Sequence, residues 1–259
     1  MGQSMTHSMS GIRQAAQLIQ AAQSVVAFTG AGISTPSGIP DFRSKISGLW
    51  EKHDPMEVAS IYGFRQNPNA FFDWVRPLAQ ATLDAQPNPA HHALYQLERM
   101  GKLDSIITQN IDMLHSHAGN TTVYELHGHL REATCVHCFT RYDGEPLIRD
   151  VLETGDVPHC PKCRAVIKPN VILFGEQLPY QQVKYAKDAA RSCDVMIIVG
   201  SSLEVYPASE LPLLASRRQA KLIVVNYELT DIDSIADVVI REDIATVLPA
   251  IVEELEFVE

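Results

Sequence analysis

Four cysteines fall in two Cys-x-x-Cys pairs, Cys135/Cys138 and Cys160/Cys163, with 21 residues between the pairs. Four thiolates complete the tetrahedral shell of a zinc ion and leave no position open for water, so such a site folds a segment and does no chemistry. The gap slightly exceeds the usual range for paired Cys-x-x-Cys motifs, which longer hairpins absorb. A redox dithiol would need only one of the pairs. The neighbouring stretch "YELHGHLREATCVHC" also holds His127, His129 and His137. His127 differs from the other two because it precedes Gly128 and follows the apolar run "TVYEL", where a strand should end. A neutral imidazole there can act as a base near neutral pH, although a structural histidine fits the same spacing.

A second group of residues suits phosphate and ribose. Gly30 and Gly32 follow the apolar run "SVVAFT" and would let the backbone approach a pyrophosphate. The dinucleotide fingerprint is incomplete, because Thr35 stands where its third glycine belongs. "GSSL" from Gly200 is another small-residue turn after an apolar run, and Asn226 closes "KLIVVN". "PDFRS" places Asp41, Phe42 and Arg43 on one loop. They could orient and cover a bound ring, or be a surface ion pair beside a core phenylalanine.

The elements that must hold these groups are short apolar strands alternating with helical stretches, the pattern of a parallel sheet covered on both faces. The predicted strands are "SVVAF", "LDSIIT", "VILFG", "VMIIVG" and "KLIVV". In such sheets ligands bind beyond the carboxyl ends of the strands. Read at those ends, the chain offers Thr29 to Gly32, Thr108 to Asp112, Gly200 to Ser202, and Asn226, a single polar rim drawn from four stretches. We expect a Rossmann-like α/β domain made of residues 11–49, 102–130 and 170–259. A helical module (50–101, punctuated by Pro68, Pro77, Pro87 and Pro89) and a zinc-binding module (131–169) would form a smaller domain. Residues 1–10 read as a disordered leader, which also matches the loose N-myristoylation pattern at Gly2 and Thr6.

Composition narrows the class. With 21 basic and 31 acidic residues the formal charge is −10, which argues against a general nucleic-acid-binding surface. There is no apolar run long enough to span a membrane and no secretory signal pattern, so a cytoplasmic protein is expected; with no coiled-coil or swapping element in the sequence, a monomer is expected. Cys193 reads as a buried small side chain.

Taken together, "GAGIS" with "SGIPDFRS", "TQNID", "LHG", the paired cysteines, "FGEQLP", "GSSLEVYPA" and "VVN" resemble the sirtuin family of NAD-dependent protein deacylases, in the family's order from about residue 25 to residue 226. The resemblance implies that NAD is the cosubstrate and Zn²⁺ is structural. Gly30, Ala31, Gly32 and Ile33 would bind phosphates and the adjoining ribose, and Asp41, Phe42 and Arg43 would form the cofactor loop. Gln109, Asn110, Ile111 and Asp112 would line the nicotinamide and ribose pocket. Gly200, Ser201 and Ser202 would meet phosphate or ribose, Asn226 the adenosine ribose, and Ile244 the adenine. An acetyl-lysine peptide would add a strand between the domains, bordered by Val171, Phe174, Gly175, Glu176, Leu203 and Val205.

In the chemistry the resemblance implies, the acyl carbonyl oxygen attacks the ribose carbon that bears nicotinamide, which leaves. His127, as general base with Asn110 and Asp112 beside it, helps deprotonate a ribose hydroxyl that attacks the resulting imidate. Water then completes transfer, giving O-acetyl-ADP-ribose. The Tyr and Arg, three apart, that mark relatives preferring succinyl or malonyl groups are missing from "NAFFDWVRPLAQ". Neutral acyl groups, acetyl first, are therefore expected, because an anionic group would be desolvated without a partner. The same pocket would also suit an ADP-ribosyltransferase, an NAD glycohydrolase or a non-catalytic acyl-lysine binder.

Overall fold

A computed structural model describes residues 2–41 and 53–256. Phe42 and Arg43 lie outside the described residues. In chain order the first half contains α1 (Gly2–Ala21), β1 (Val25–Thr29), α2 (Pro55–Val58), α3 (Ile61–Gln66), α4 (Pro68–Asp84), α5 (Pro89–Arg99), β2 (Ser105–Thr108), α6 (Leu114–Ala118) and β3 (Val123–Glu125). The second half contains β4 (Gly128–Cys135), β5 (Arg141–Asp143), α7 (Gly144–Thr154), β6 (Ile167–Val171), α8 (Tyr180–Ser192), β7 (Val195–Val199), α9 (Glu210–Arg217), β8 (Lys221–Val225), β9 (Val238–Ile240) and α10 (Ile244–Glu256).

Six strands form one parallel sheet in the order β3-β2-β1-β7-β8-β9. Its central strands are apolar throughout because both faces are covered, and alternate residues serve opposite layers. Val25 and Ala27 join Ile12, Ile19, Leu94, Val247 and Ile251 in the layer of α1, α5 and α10. Val26 and Phe28 join Ala186, Ala190, Leu211 and Ala215 in the layer of α8 and α9. The chain winds outward in one direction from β1 and in the other from β7. The boundary between them is the switch point, where the carboxyl ends of neighbouring strands diverge and leave a crevice.

A second, antiparallel sheet, β5-β4-β6, carries the cysteines. It shares a core with α3, α4 and α7, built on Phe64, Phe71, Phe72, Leu130, Ile148, Val151 and Val171. Phe71 meets both other phenylalanines edge to face at 5.2 Å, a favoured aromatic geometry. Helices α3 and α4 and the cysteine-bearing insertion after β3 thus close over one hydrophobic cluster.

Three boundaries differ from the sequence reading. Helix α1 begins at Gly2, so the stretch expected as a leader continues the helix. Helix α5 packs in the large core through Ala90, Ala93, Leu94 and Leu97, although it was grouped with the helices of the small module. Prolines also play different parts: Pro68 and Pro89 occupy first turns, where no N–H is needed, while Pro77 sits inside α4 without ending it.

Candidate active site

The glycine turn closes on its counterpart across the switch point. Gly30 N–H donates to Val199 O at 3.1 Å and Gly32 N–H to Gly200 O at 2.8 Å. A Cβ on Gly32 would lie 2.7 Å from Gly200 Cα, and one on Gly200 would lie 2.4 Å from Ile33 N. Gly200 also has φ +59°, in the left-handed region. Beyond the glycines the chain forms two short 3-10 turns, Ala31–Ile33 and Thr35–Ser37, in place of a long helix. Thr35 Oγ1 donates to Gly32 O at 3.0 Å. This explains the missing third glycine, whose task in the fingerprint is close packing of a helix that does not exist here.

The stretch from Thr108 to Asp112 leaves β2 and folds over this turn. Asn110 Nδ2 donates to Gly30 O and to Ser34 Oγ, both at 3.1 Å. Ser34 Oγ donates in turn to Asp112 Oδ2 at 2.7 Å, and Leu114 N–H donates to Asp112 Oδ1 at 2.9 Å. Burial pushes the Asp112 carboxyl above the usual carboxylate range, opposed by those two hydrogen bonds. Gln109 Nε2 reaches Ser201 Oγ at 2.9 Å and so links the loop to the turn after β7. Ser34 and Asn88 were missed in the sequence. Asn88 caps α5 through Ala90 N–H and holds the glycine turn by donating to Ile33 O at 2.8 Å. The only sequence signal was "NPA", a cap followed by a first-turn proline.

His127 lies just past the end of edge strand β3, as expected from "TVYEL". Leu126 N–H still donates to Thr108 O. His127 Nδ1 is 3.0 Å from the carbonyl oxygen of Gln109. A carbonyl can only accept, so Nδ1 carries the proton in the neutral ring and Nε2 keeps the basic lone pair.

Ala31, Gln109 to Asp112 and His127 open into a cavity of about 610 Å³ between the two sheets. Its far wall is the apolar core of the small module, including Phe72, Val75, Ala79, Leu130, Ile148 and Val151. Val171, Phe174, Gly175, Glu176 and Val205 also line it. Of the residues expected to border a peptide strand, only Val171, at the end of β6, lies in a strand. Phe174 already pairs its backbone, N–H to Ala59 O and O to Ile61 N–H, both at 2.9 Å. The Glu176 carboxylate is engaged by Leu173 N–H at 2.8 Å and by the mostly buried Lys168 at 2.9 Å. Leu203 has φ +59° and packs against the α8–α9 layer.

The remaining positions lie outside this cavity, along the carboxyl ends of β1, β7 and β8. Ser201 is buried and Ser202 partly exposed. Asn226 Nδ2 donates to Glu228 O, and its carbonyl accepts from Arg241. Asp41 is partly exposed at the edge of the described residues. Ile33 and Ile244 have their side chains in the large core, so only their backbone can face a ligand.

The four cysteine sulfurs lie within 4.8 Å of one another, with Cys135–Cys163 at 3.4 Å and Cys138–Cys160 at 3.6 Å. Tetrahedral zinc with bonds of about 2.3 Å requires sulfurs ~3.8 Å apart, so the set fits. Tyr142 Oη lies 2.9 Å from Cys160 Sγ, suited to steady a thiolate. His129 and His137 are not part of the cluster.

A doubly wound sheet with a glycine turn at its switch point, joined to a cysteine-held module, defines a nucleotide-site α/β protein with a structural metal centre. The Sir2 family model matches residues 30–207. NAD-dependent protein deacylase 2 of Archaeoglobus fulgidus is 48% identical over 246 residues, 95% of this chain and 96% of its own. A solved Sir2 complex with deacetylated p53 peptide and 3'-O-acetyl ADP-ribose superposes with a TM-score of 0.90 at 40% identity, covering 94% of this chain and 98% of its own. Sir2Af2 bound to a myristoylated histone peptide gives a TM-score of 0.83 at 42% identity, covering 96% and 98%. The chain belongs to the Sir2 family.

Proposed function

We propose that this protein is an NAD-dependent protein-lysine deacetylase that acts on acetyl-lysine peptides and releases nicotinamide and O-acetyl-ADP-ribose. The observation that carries the reading is His127: its Nδ1–H is held by Gln109 O at 3.0 Å, and it lines one cavity with Ala31, Asn110 and Asp112. Gly30 to Gly32, Gly200 to Ser202 and Asn226 would hold the phosphates and adenosine half of NAD, which supplies the electrophilic ribose carbon. Asn110 and Asp112, fixed through Ser34, would orient the ribose and nicotinamide. His127 Nε2 would take the proton from the ribose hydroxyl. The apolar far wall would exclude water until the acyl group has left lysine. Cys135, Cys138, Cys160 and Cys163 would hold zinc away from these steps. We also assign the enzyme to the cytoplasm as a monomer that binds no nucleic acid, the last supported by its formal charge of −10; no described helix is long and apolar enough to cross a membrane.

Nicotinamide release measured with and without an acetyl-lysine peptide tests the reading. Release that depends on the peptide and is lost in His127→Ala is expected. Release without peptide would make the protein a glycohydrolase or an ADP-ribosyltransferase. Full activity in His127→Ala would remove the base from this residue.

The cavity favours a second reading of acyl preference. An acetyl group uses little of 610 Å³, whereas each further methylene buried in an apolar wall adds about 0.8 kcal/mol. Long neutral acyl chains, the class carried by the peptide bound to Sir2Af2, would therefore bind more tightly than acetyl. We expect a lower KM for a myristoyl-lysine peptide than for the acetyl peptide of the same sequence. An equal or higher KM, or better turnover of succinyl-lysine, would rule this out.

A further inference from the structure

Lys168, in β6, has no part in the steps above and is not among the residues that line the cavity. Its side chain is only 12% exposed, and that of Glu176, its ionic partner at 2.9 Å, 24%. The ammonium has three donors, and three oxygens receive them: Val171 O at 2.7 Å, Glu176 Oε2 at 2.9 Å and Pro169 O at 3.3 Å. Glu176 Oε2 also accepts the N–H of Leu173 at 2.8 Å. Burial pushes the Lys168 ammonium below the usual lysine range, and the Glu176 carboxylate opposes that shift. Taking two charges out of water costs about as much as their attraction returns, so a mostly buried pair adds little net stability. What it supplies is direction.

The groups that Lys168 holds belong to the segment that leaves β6 and walls the cavity, residues 171–176. Near its start, Ile172 N–H donates to His127 O at 2.8 Å. In its middle, Phe174 is bonded through both backbone groups to Ala59 and Ile61. At its end the chain turns back, with Gly175 at φ +85° and Glu176 N–H donating to Leu173 O at 3.0 Å. A Cβ on Gly175 would lie 2.9 Å from Tyr62 Cε2, so the turn sits closely against α3. Val171 O and the Glu176 carboxylate stand at the two ends of this segment. One ammonium joins them and closes the segment into a loop.

We propose that Lys168 is a positioning residue for the acyl-lysine peptide. By bridging Val171 O and the Glu176 carboxylate it fixes the loop that the peptide must lie against, on the same wall as His127, without touching substrate itself. The proposal rests on the deacylase reading of this cavity.

Steady-state kinetics with an acetyl-lysine peptide, and NAD titration in its absence, test the role. Lys168→Met keeps the stem and removes the three donors. It should raise KM for the peptide ~10-fold, the scale of one lost hydrogen bond to a charged group. Its Tm should fall, because the Glu176 carboxylate is left unpaired. NAD affinity should be unchanged, since the glycine turns belong to the other sheet. Lys168→Met/Glu176→Leu puts an apolar pair in place of the ionic one and should regain the lost Tm, while KM for the peptide stays raised. A peptide KM that recovers together with Tm would show that the pair only fills space, and would overturn the proposal even if Lys168→Met fails to fold. An equal loss of NAD affinity would overturn it as well. Wild-type protein that turns over no acyl-lysine peptide would refute the functional reading and the proposal with it. Turnover by wild type with an unchanged KM in both variants would overturn the proposal alone.

Discussion

His127 and Asp112 show how differently one pocket treats two titratable groups. His127 is held by one hydrogen bond from Nδ1–H to Gln109 O, which decides its tautomer and therefore which nitrogen can act as base. Asp112 is only 6% exposed, and its burial raises its pKa against the pull of Ser34 and Leu114. A carboxyl whose folded pKa is raised contributes stability that is complete below its unfolded pKa and lost as pH rises through the folded value. Above its raised folded pKa the ionised group therefore costs stability. Asp112→Asn keeps the shape and removes the charge, so we expect its Tm relative to wild type to rise as pH rises. The gain should shrink as pH falls and wild-type Asp112 becomes protonated, while NAD affinity falls in the variant. Thermal unfolding across pH checks both signs, and a Tm difference that grows on acidification would contradict the assignment. Single-residue positions were legible in the sequence where residue type and a strand end agreed, as for His127 after β3 and Asn110 after β2. The places of Ser34 and Asn88 were not, because they depend on Asp112 and Ile33, partners distant in sequence.

At the scale of elements, the strands were legible because a doubly covered parallel strand is an unbroken apolar run. β1, β2, β7 and β8 fall where those runs predict them. What helical periodicity cannot tell is which core a buried face will meet. α5 has the expected apolar stripe, yet Leu94 and Leu97 pack with α10 in the large core. The glycine turn was read as a place where backbone approaches a pyrophosphate; the structure adds its close approach to the backbone of Gly200, 168 residues downstream of Gly32. Gly32→Ala would force a Cβ to within 2.7 Å of Gly200 Cα. Nearby backbone cannot yield as a side chain would, so the two turns must separate. We expect a loss of about 1–3 kcal/mol of stability, the usual cost of overpacking. NAD affinity should fall as well, since Gly30 and Gly200 move apart at the switch point. Unfolding and NAD titration of the variant measure the two effects. Unchanged values in both would show that the turns are not interlocked.

For the whole molecule, the question is how a metal that does no chemistry can govern the reaction. β4 runs from Gly128, next to His127, to Cys135 in the cysteine cluster, and β6 returns alongside it from Ile167 to Val171. Ile172 N–H then donates to His127 O at 2.8 Å. One small sheet therefore has the zinc ligands at one end and, at the other, the chain entering His127 and the segment carrying Phe174. β4 is bulged and its two ends pair with the two ends of β6, Ile167 and Val171, so the ends lie on the order of 13 Å apart, four steps of ~3.3 Å, too far for the ion to touch substrate and close enough to set the sheet's register. The NAD turns, Gly30 to Gly32 and Gly200, belong to the other sheet. Removing the metal, by a strong chelator or by Cys160→Ser, should therefore abolish deacylation and lower the Tm while weakening NAD binding far less. Added zinc should restore the chelated wild type and leave Cys160→Ser impaired. Full deacylation by folded, zinc-free protein would show that the register of β4 and β6 does not depend on the cysteines and that His127 is placed by the large sheet alone.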